Sequence, residues 1–246
     1  MEYNMSLTKE IVKCRDGSYT LRSALFGECY HSANGALAES LHIFIRNGLD
    51  YYLEQSNRTG SETLRIFEAG FGTGLNTLLT ALRVNGRDDL SIEYSAVELY
   101  PVAPSESASL NYPLSISRDY PFVFDGGIES AEELEKKINN ARWDTGTMIT
   151  EKFRLIKIHA DILSLDLPLN RYDIVYYDMF SPAVHPRVWE KDILTKIYSS
   201  CRPGAVFITY SSKGSVKREL RDCGFNLYRL SGPEGKRHIL RAVKPL

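Results

Sequence analysis

The sequence predicts an α/β protein with a Rossmann-like, mostly parallel sheet of seven strands that closes in an antiparallel hairpin. From residue 64 onwards, short apolar runs alternate with amphipathic segments, a pattern typical of βαβ units. The last two apolar runs follow each other directly and are joined only by SGPEGK, so they are expected to form a hairpin. A hydrophobic fraction of 43% over 246 residues suffices for one full core, which favours a single domain.

Each predicted element of the core follows from its local apolar pattern. The seven strands are expected at 64–68, 91–98, 153–158, 172–178, 205–211, 225–230 and 238–243. The helices that separate them are expected at 75–84, 105–112, 189–201 and 214–223.

The first part of the chain, residues 1–62, is interpreted as an N-terminal cap on a core formed by residues 63–246. A strand is expected at 18–26 and an amphipathic helix at 36–55. Within the core, residues 113–152 are predicted to be a loop-rich insertion with one charged helix, at 129–142.

Several classes of protein are disfavoured by composition. No stretch approaches the roughly 18 to 20 apolar residues of a membrane span, and the start of the chain lacks an apolar run behind basic residues. We therefore expect a cytoplasmic protein without membrane contact. The four cysteines are isolated, with no spacing typical of zinc ligands, so no metal site is predicted.

The charge distribution is asymmetric although the net charge is only −1. Residues 196–246 contain eleven Lys or Arg against three acids, a net charge of +8, which leaves −9 on the rest of the chain. Such a block suits contact with a polyanion. Solvated helix and strand faces explain the charge equally well, so charge alone does not decide between these two interpretations.

The sharpest local motif runs from Glu68 to Gly74, EAGFGTG, directly after a predicted strand and before a predicted helix. Gly70, Gly72 and Gly74 permit a sharp turn and a close approach of a ligand to the backbone. The dinucleotide pattern GxGxxG requires glycine where this chain has Leu75, which disfavours NAD or FAD. No phosphate-binding GxxxxGK[ST] loop occurs either.

The acids around this loop favour S-adenosylmethionine (AdoMet) as the cofactor. Glu68 is expected to meet its amino-acid end, Glu98 at the end of the next strand its ribose hydroxyls, and Asp161 after the third strand its adenine amino group. Asn76 is interpreted either as a further ligand contact or as a polar residue that caps the helix.

Asp178 and Phe180 follow the fourth strand, at the sheet edge where open α/β proteins place the reacting group. A carboxylate there, beside the AdoMet pocket, can accept an N–H hydrogen bond from an amine, align its lone pair and take up its proton. Phe180 can stack on a planar base. These two residues are the predicted catalytic pair.

The chain also resembles the methyltransferase part of the bifunctional protein that completes 5-methylaminomethyl-2-thiouridine in tRNA. The resemblance covers most of the chain outside 113–152. Its motifs are GECYHSANGALAESLHIFIRNGL, FEAGFGTGLNTLL, YSAVELYP, YDIVYYDMFSPAVHPRVW, PGAVFITYSSKGSVKRELRDCGF and GPEGKRHIL.

The resemblance implies methyl transfer from AdoMet to the amine of 5-aminomethyl-(2-thio)uridine at the tRNA wobble position. It implies that Tyr30, Asn34, Gly35 and Glu39 close over the AdoMet pocket, although an aromatic residue such as Tyr30 by itself favours a core position. His31 and His185 are interpreted as structural. The expected tRNA contacts lie in the basic C-terminal block: Lys213, Lys217, Arg218, Lys236 and Arg237.

Two departures from the family pattern stand out. The family usually has DGFAP where this chain has Asp178-Met179-Phe180-Ser181-Pro182, so the turn is expected to differ in shape. The bifunctional members continue into an FAD-dependent oxidase, whereas this chain has no second glycine fingerprint and resembles the stand-alone members. A separate oxidase or another enzyme that forms the aminomethyl group is the expected upstream partner.

Three alternatives remain open from the sequence. An aminopropyltransferase or a small-molecule N-methyltransferase would share the glycine loop, Glu98 and Asp178. An inactive scaffold subunit would share the fold alone. The basic C-terminal block favours tRNA over a small acceptor.

Overall fold

In a computed structural model, residues 8–56, 62–120 and 127–246 are described. Their strands are β1 (Lys9–Lys13), β2 (Tyr19–Ser23), β3 (Thr63–Ala69), β4 (Ser91–Glu98), β5 (Thr145–Thr150), β6 (Phe153–His159), β7 (Tyr172–Tyr177), β8 (Cys201–Thr209), β9 (Asn226–Ser231) and β10 (His238–Val243). Their helices are α1 (Ala36–Ser40), α2 (Tyr51–Gln55), α3 (Leu75–Val84), α4 (Pro104–Ala108), α5 (Tyr112–Asp119), α6 (Gly127–Asn140), α7 (Lys191–Ser200) and α8 (Gly214–Cys223).

The main sheet has the strand order β5-β6-β4-β3-β7-β8-β10-β9. Strands β6, β4, β3, β7 and β8 are parallel, and β10 runs antiparallel to both β8 and β9. The chain leaves β3 towards β4 and β6, then returns to β7 on the other side. This reversal opens a crevice at the carboxyl ends of β3 and β7, where doubly wound folds bind their ligands.

The central strand β7 is buried along its whole length, because helices cover both faces of the sheet. One apolar core lies between the sheet and α1, α3 and α6, and the other lies between the sheet and α7 and α8. Asp173 is the polar exception within β7. Its carboxylate accepts the backbone N–H of Arg65 at 2.8 Å and pairs with Arg202 at 3.3 Å, so its buried charge is compensated.

The N-terminal cap consists of the β1–β2 hairpin and one long helical rod. The rod begins with α1, continues as a π-helical segment over Leu41–Asp50 and ends with α2. It packs closely on the sheet: a Cβ added at Gly48 would lie 3.1 Å from Ile208 and 3.2 Å from Tyr176. The expected helix at 36–55 is therefore present, with a widened turn in its middle.

The prediction of seven strands in the sheet was wrong by one. The eighth, β5, lies inside the predicted insertion and pairs antiparallel with the edge strand β6. The insertion is also more regular than expected, since it holds most of α5 and all of α6 besides β5. The single helix expected at 105–112 is two short helices, α4 and α5, and β1 was not predicted.

The α7 side of the core provides a direct test of the packing. Leu194 is fully buried, whereas Leu169 is 73% exposed. We expect Leu194→Ala to lower the free energy of unfolding by about 2–5 kcal/mol, because it removes buried methyl groups and leaves a cavity. Leu169→Ala, the matched control, should change it by no more than about 0.5 kcal/mol. Denaturant titration measures both, and equal losses would contradict the assigned burial.

Candidate active site

The glycine loop connects β3 to α3 through backbone conformations that only glycine adopts easily. Gly70, Gly72 and Gly74 have φ values of 90°, 54° and 79°, in the left-handed region. A Cβ at Gly70 would lie 2.6 Å from the carbonyl oxygen of Asp178, and one at Gly72 would lie 3.1 Å from the Tyr30 ring. The loop therefore passes directly beneath the end of β7 and the cap.

Glu98 ends β4 and holds the glycine loop from the side. Its carboxylate accepts the backbone N–H of Gly72 at 3.0 Å and that of Tyr100 at 2.8 Å. Burial raises the pKa of this carboxyl, while the backbone N–H donors oppose the rise. Glu98 also lines the cavity above the loop.

Asp161 follows β6 and lines the same cavity. One of its carboxylate oxygens accepts the backbone N–H of Leu163 at 2.9 Å, which fixes the turn. The other oxygen has no hydrogen-bond partner among the described residues, so it can accept a donor from a ligand.

Beneath the cavity, one amide joins two acids. The Nδ2 group of Asn76 donates to Glu68 at 2.9 Å and to Asp178 at 2.9 Å. Glu68 also accepts hydrogen bonds from Thr77 at 3.3 Å and from Tyr94 at 2.9 Å. Because Glu68 is fully enclosed, burial above all raises its pKa, to about 8.

Asp178 forms part of the cavity wall, directly above this amide. Withdrawal from water raises its pKa to about 7, and the nearby Glu39 carboxylate adds to the rise. The hydrogen bond from Asn76 and the charge of Lys236 act in the opposite direction. A carboxyl balanced in this way can hold or release a proton near neutral pH.

The turn after Asp178 is held by three side chains from elsewhere in the chain. Trp189 donates its indole N–H to the carbonyl of Phe180 at 2.9 Å, and Tyr210 donates its hydroxyl to that of Met179 at 2.8 Å. Glu28 accepts both the hydroxyl of Ser181, at 2.6 Å, and its backbone N–H, at 3.2 Å.

An aromatic wall stands beside Asp178. The Phe26 ring stacks on Phe180 with centroids 4.2 Å apart, and His185 stacks on Phe26 at 5.5 Å. The Tyr30 ring meets Phe180 edge-on at 5.2 Å. One face of Phe180 is therefore already covered by an aromatic residue of the cap.

These groups surround one cavity of about 290 Å³ at the carboxyl edge of the sheet. It brings together six of the candidate site residues, namely Gly70, Gly72, Glu98, Asp161, Asp178 and Phe180. Glu68, Gly74 and Asn76 do not line it: Gly74 is the N-cap residue of α3, and the other two lie one layer deeper. A direct contact of these three with a ligand stays a prediction.

Sequence reasoning missed Phe26 and Glu28, which reach the cavity from the loop between β2 and α1. Glu28 belongs to the motif GECYHSANG, which was the available signal, whereas Phe26 lies one residue before that motif. His31 and His185 were expected to be structural, and Tyr30 either to close over the pocket or to lie in the core; all three line the cavity. Partial withdrawal of the His31 ring from water lowers its pKa to about 4 and keeps the ring neutral.

The basic C-terminal block divides into residues with different surroundings. Lys213, Arg218 and Arg237 are exposed and Lys217 is partly exposed, and none forms an ion pair with a described residue. Lys236 is separate, because it lines the cavity and pairs with Glu39 at 3.3 Å. Other members of the block serve the fold: Arg202 pairs with Asp173, Arg241 covers the Tyr51 ring, and Lys196 and Lys244 donate to backbone carbonyls.

Two wider features of the described residues bear on function. No cluster of three or more His, Cys, Asp or Glu side chains is arranged to hold a metal ion in this part of the chain. Within the same ranges, no helix has the length and apolar character needed to cross a membrane.

Comparison with known proteins gives consistent relatives. The family described as S-adenosyl-L-methionine-dependent methyltransferases matches residues 132–245. The tRNA 5-methylaminomethyl-2-thiouridine biosynthesis bifunctional protein MnmC of Burkholderia multivorans is 30% identical over 90% of this chain, and that of Campylobacter fetus is 31% identical over 92%. The chain spans about a third of the length of these relatives, 33% and 34%.

Among solved structures, MnmC2 from Aquifex aeolicus matches with a TM-score of 0.71 and 26% identity, over 99% of this chain and 74% of that one. Spermidine synthase from Thermotoga maritima matches over 96% of this chain and 69% of its own, with a TM-score of 0.52 and 11% identity, which shows a shared fold only. By sequence and by fold, the chain is therefore similar to the methyltransferase part of MnmC proteins, and its residues 132–245 match the S-adenosyl-L-methionine-dependent methyltransferase family.

Proposed function

We propose that this protein transfers a methyl group from AdoMet to the primary amine of 5-aminomethyl-(2-thio)uridine at the wobble position of tRNA. The observation that carries the proposal is the placement of Asp178 at the crevice between β3 and β7, with the glycine loop on one side and an aromatic wall on the other. The relatives are named for biosynthesis of 5-methylaminomethyl-2-thiouridine in tRNA. That nucleoside carries the methylated form of this amine.

The residues of the cavity fit AdoMet. Gly70 and Gly72 line the cavity with bare backbone, which lets a ligand approach the loop closely. Glu98 would accept hydrogen bonds from the ribose hydroxyls and Asp161 one from the adenine amino group, since each lines the cavity after a successive strand. When bound, AdoMet supplies an electrophilic methyl group on sulfur.

The role of Asp178 follows from what an amine requires. A primary amine is mostly protonated near neutral pH and must lose a proton before its nitrogen lone pair can attack. The carboxylate of Asp178 would accept an N–H of the amine, align the lone pair and take up the proton. Asn76 and Glu68 contribute indirectly, because the Asn76 amide fixes the Asp178 oxygen from below.

The aromatic wall gives the base a surface to stack on. Phe180 is placed beside Asp178, and its contact with Phe26 at 4.2 Å makes the wall two rings thick. A uracil that lies against these rings would present its 5-aminomethyl arm to the carboxylate. Stacking on aromatic side chains is the usual way in which proteins hold a base outside a helix.

A tRNA would approach across the exposed basic side chains near the cavity mouth. Only residues 210–213 separate the end of β8 from the start of α8, so the first turn of α8 lies at the same sheet edge as the cavity. Lys213, Lys217 and Arg218 project from this region, and Arg237 follows the cavity residue Lys236. With no ion pair to any described residue, these side chains are available to phosphates.

We place this reaction in the cytoplasm, where tRNA is modified. A separate FAD-dependent oxidase, or another enzyme that forms the aminomethyl group, would supply the substrate. The requirement is chemical, because Asp178 can act only on a uridine that already carries a primary amine.

The proposed function is tested by mass spectrometry of tRNA nucleosides from a strain that lacks this protein. We expect 5-aminomethyl-(2-thio)uridine to accumulate at the expense of its methylated form. Reintroduction of the gene should restore the methylated nucleoside, which controls for indirect effects. An unchanged nucleoside profile in the deletion strain would contradict the proposal.

The catalytic role of Asp178 predicts a separation of binding from chemistry. Asp178→Ala should slow single-turnover methyl transfer by about 10²–10⁴-fold, the usual contribution of a positioned base, and leave AdoMet affinity almost unchanged. Asp178→Asn keeps one acceptor oxygen but cannot take the proton, so a loss as large as that of Ala indicates proton uptake. Methyl transfer by Asp178→Ala at the wild-type rate would exclude this role.

The same role fixes the pH dependence. Because burial raises the pKa of Asp178 to about 7, the single-turnover rate should rise as the pH passes through that value and Asp178 ionises. Glu39, Glu68 and Lys236 face this carboxyl and set the midpoint together. In Asp178→Asn only the rise that follows from deprotonation of the substrate amine should remain.

Contact with tRNA phosphates predicts a dependence on salt. A variant with Lys213, Lys217 and Arg218 replaced by Ala should reduce the slope of log affinity against log salt by about two to three, since each lost phosphate contact removes about 0.7–0.9. Arg87→Ala with Lys152→Ala is the control, because both lie beside Asp88 and Asp89 at the opposite sheet edge. An unchanged slope in the triple variant would mark the three as solvated side chains only.

A further inference from the structure

Lys236 lies in the cavity and not on the exposed surface where tRNA phosphates would bind. Its ammonium lies 3.3 Å from a carboxylate oxygen of Glu39 and 4.3 Å from the centroid of the Tyr210 ring. The two side chains of the pair are 26% and 7% exposed. The lysine therefore belongs to the cavity and not to the exposed basic surface.

The loop between β9 and β10 is held firmly against the cap, which keeps Lys236 in this place. Gly235 packs so closely that a Cβ there would lie within bonding distance of Asn34. His42 hydrogen-bonds to the carbonyl of Ser231 at 2.8 Å. On the other side of the pair, Glu39 accepts the backbone N–H of Ser32 at 3.0 Å.

The cavity is lined by more acidic than basic side chains. It is lined by five carboxyl side chains, and Lys236 is the one Lys or Arg among the described residues that face it. Two of the acids already serve the fold: Glu28 binds the Ser181 turn and Glu98 binds backbone N–H groups. A ligand with an anionic group can meet a full positive charge only at Lys236.

The position of the pair along the cavity matches the asymmetry of AdoMet. Following the strand order, the lining runs from Asp161 after β6, through Glu98 after β4 and the glycine loop after β3, to Asp178 after β7. Lys236 and Glu39 lie beyond that point, opposite the end proposed for adenine. AdoMet carries its amino-acid zwitterion at the end opposite its adenine.

We infer that Lys236 and Glu39 form the subsite for this zwitterion, with Lys236 binding its carboxylate and Glu39 its ammonium. This inference rests on the AdoMet site proposed above. In the absence of ligand the two side chains compensate each other. A zwitterion brings one charge of each sign, so both side chains exchange one partner for another and neither is left unpaired in a half-buried place.

The test compares two ligands that share the adenosine and the sulfur but differ in the amino-acid end. S-adenosylhomocysteine has the zwitterion, and 5′-methylthioadenosine lacks it. Calorimetric titration of Lys236→Met should give a loss of about ten- to a hundredfold for S-adenosylhomocysteine, the value of a charge-assisted hydrogen bond. The affinity for 5′-methylthioadenosine should stay unchanged, which also shows that the variant is folded.

The matched control is Arg229→Met, which removes an exposed charge on β9 and should alter neither affinity. Decarboxylated S-adenosylhomocysteine keeps the ammonium but lacks the carboxylate. Glu39→Gln should weaken the binding of this ligand, whereas Lys236→Met should leave its affinity unchanged. Equal losses for both ligands in Lys236→Met, or no loss for either, would overturn the subsite while leaving the donor site intact. Failure of the wild-type protein to bind S-adenosylhomocysteine would overturn the donor site itself.

Discussion

The chemistry of the cavity depends on one side-chain amide. Asn76 donates to Glu68 and to Asp178 at 2.9 Å each, and so ties β3, α3 and the end of β7 together. Glu68 has no cationic partner among the described residues that contact it, only the donors Asn76, Thr77 and Tyr94. A buried carboxyl that lacks a counter-charge resists ionisation, and the nearby Asp178 carboxylate raises the pKa of Glu68 further.

This arrangement requires the glycine loop for a reason beyond ligand access. Asn76 lies in the first turn of α3, and that turn reaches β7 only because the loop reverses within a few residues. Gly70 passes so close to the carbonyl of Asp178 that any side chain there would push β3 and β7 apart. The same glycine, which lines the cavity, therefore also keeps the Asp178 carboxyl in contact with its amide.

What the sequence predicted well was local. Gly72, Glu98, Asp161 and Asp178 each lie at the end of a strand whose apolar pattern is strong, so their common edge follows from topology. Phe26 was missed because its place depends on the packing of a cap loop far from it in sequence. Strand β5 was missed because TGTMIT has only one buried residue, Ile149, and an edge strand needs few.

Charge was the least informative signal, because a count of basic residues does not tell where each side chain points. The block that suggested one polyanion surface consists of side chains that compensate Asp173, cover Tyr51, bind backbone carbonyls or enter the cavity, besides those that stay exposed.

Lys236 shows why the direction of a basic side chain matters. The connection between β9 and β10, residues 232–237, packs on Asn34 through Gly235, and this contact turns Lys236 inward while Arg237 remains in water. Since spermidine synthase shares the sheet at 11% identity, the fold alone does not select the acceptor. Two parts of this cavity, the cap loop with its aromatic ring and the hairpin end with its lysine, lie far apart in the sequence and meet over the crevice.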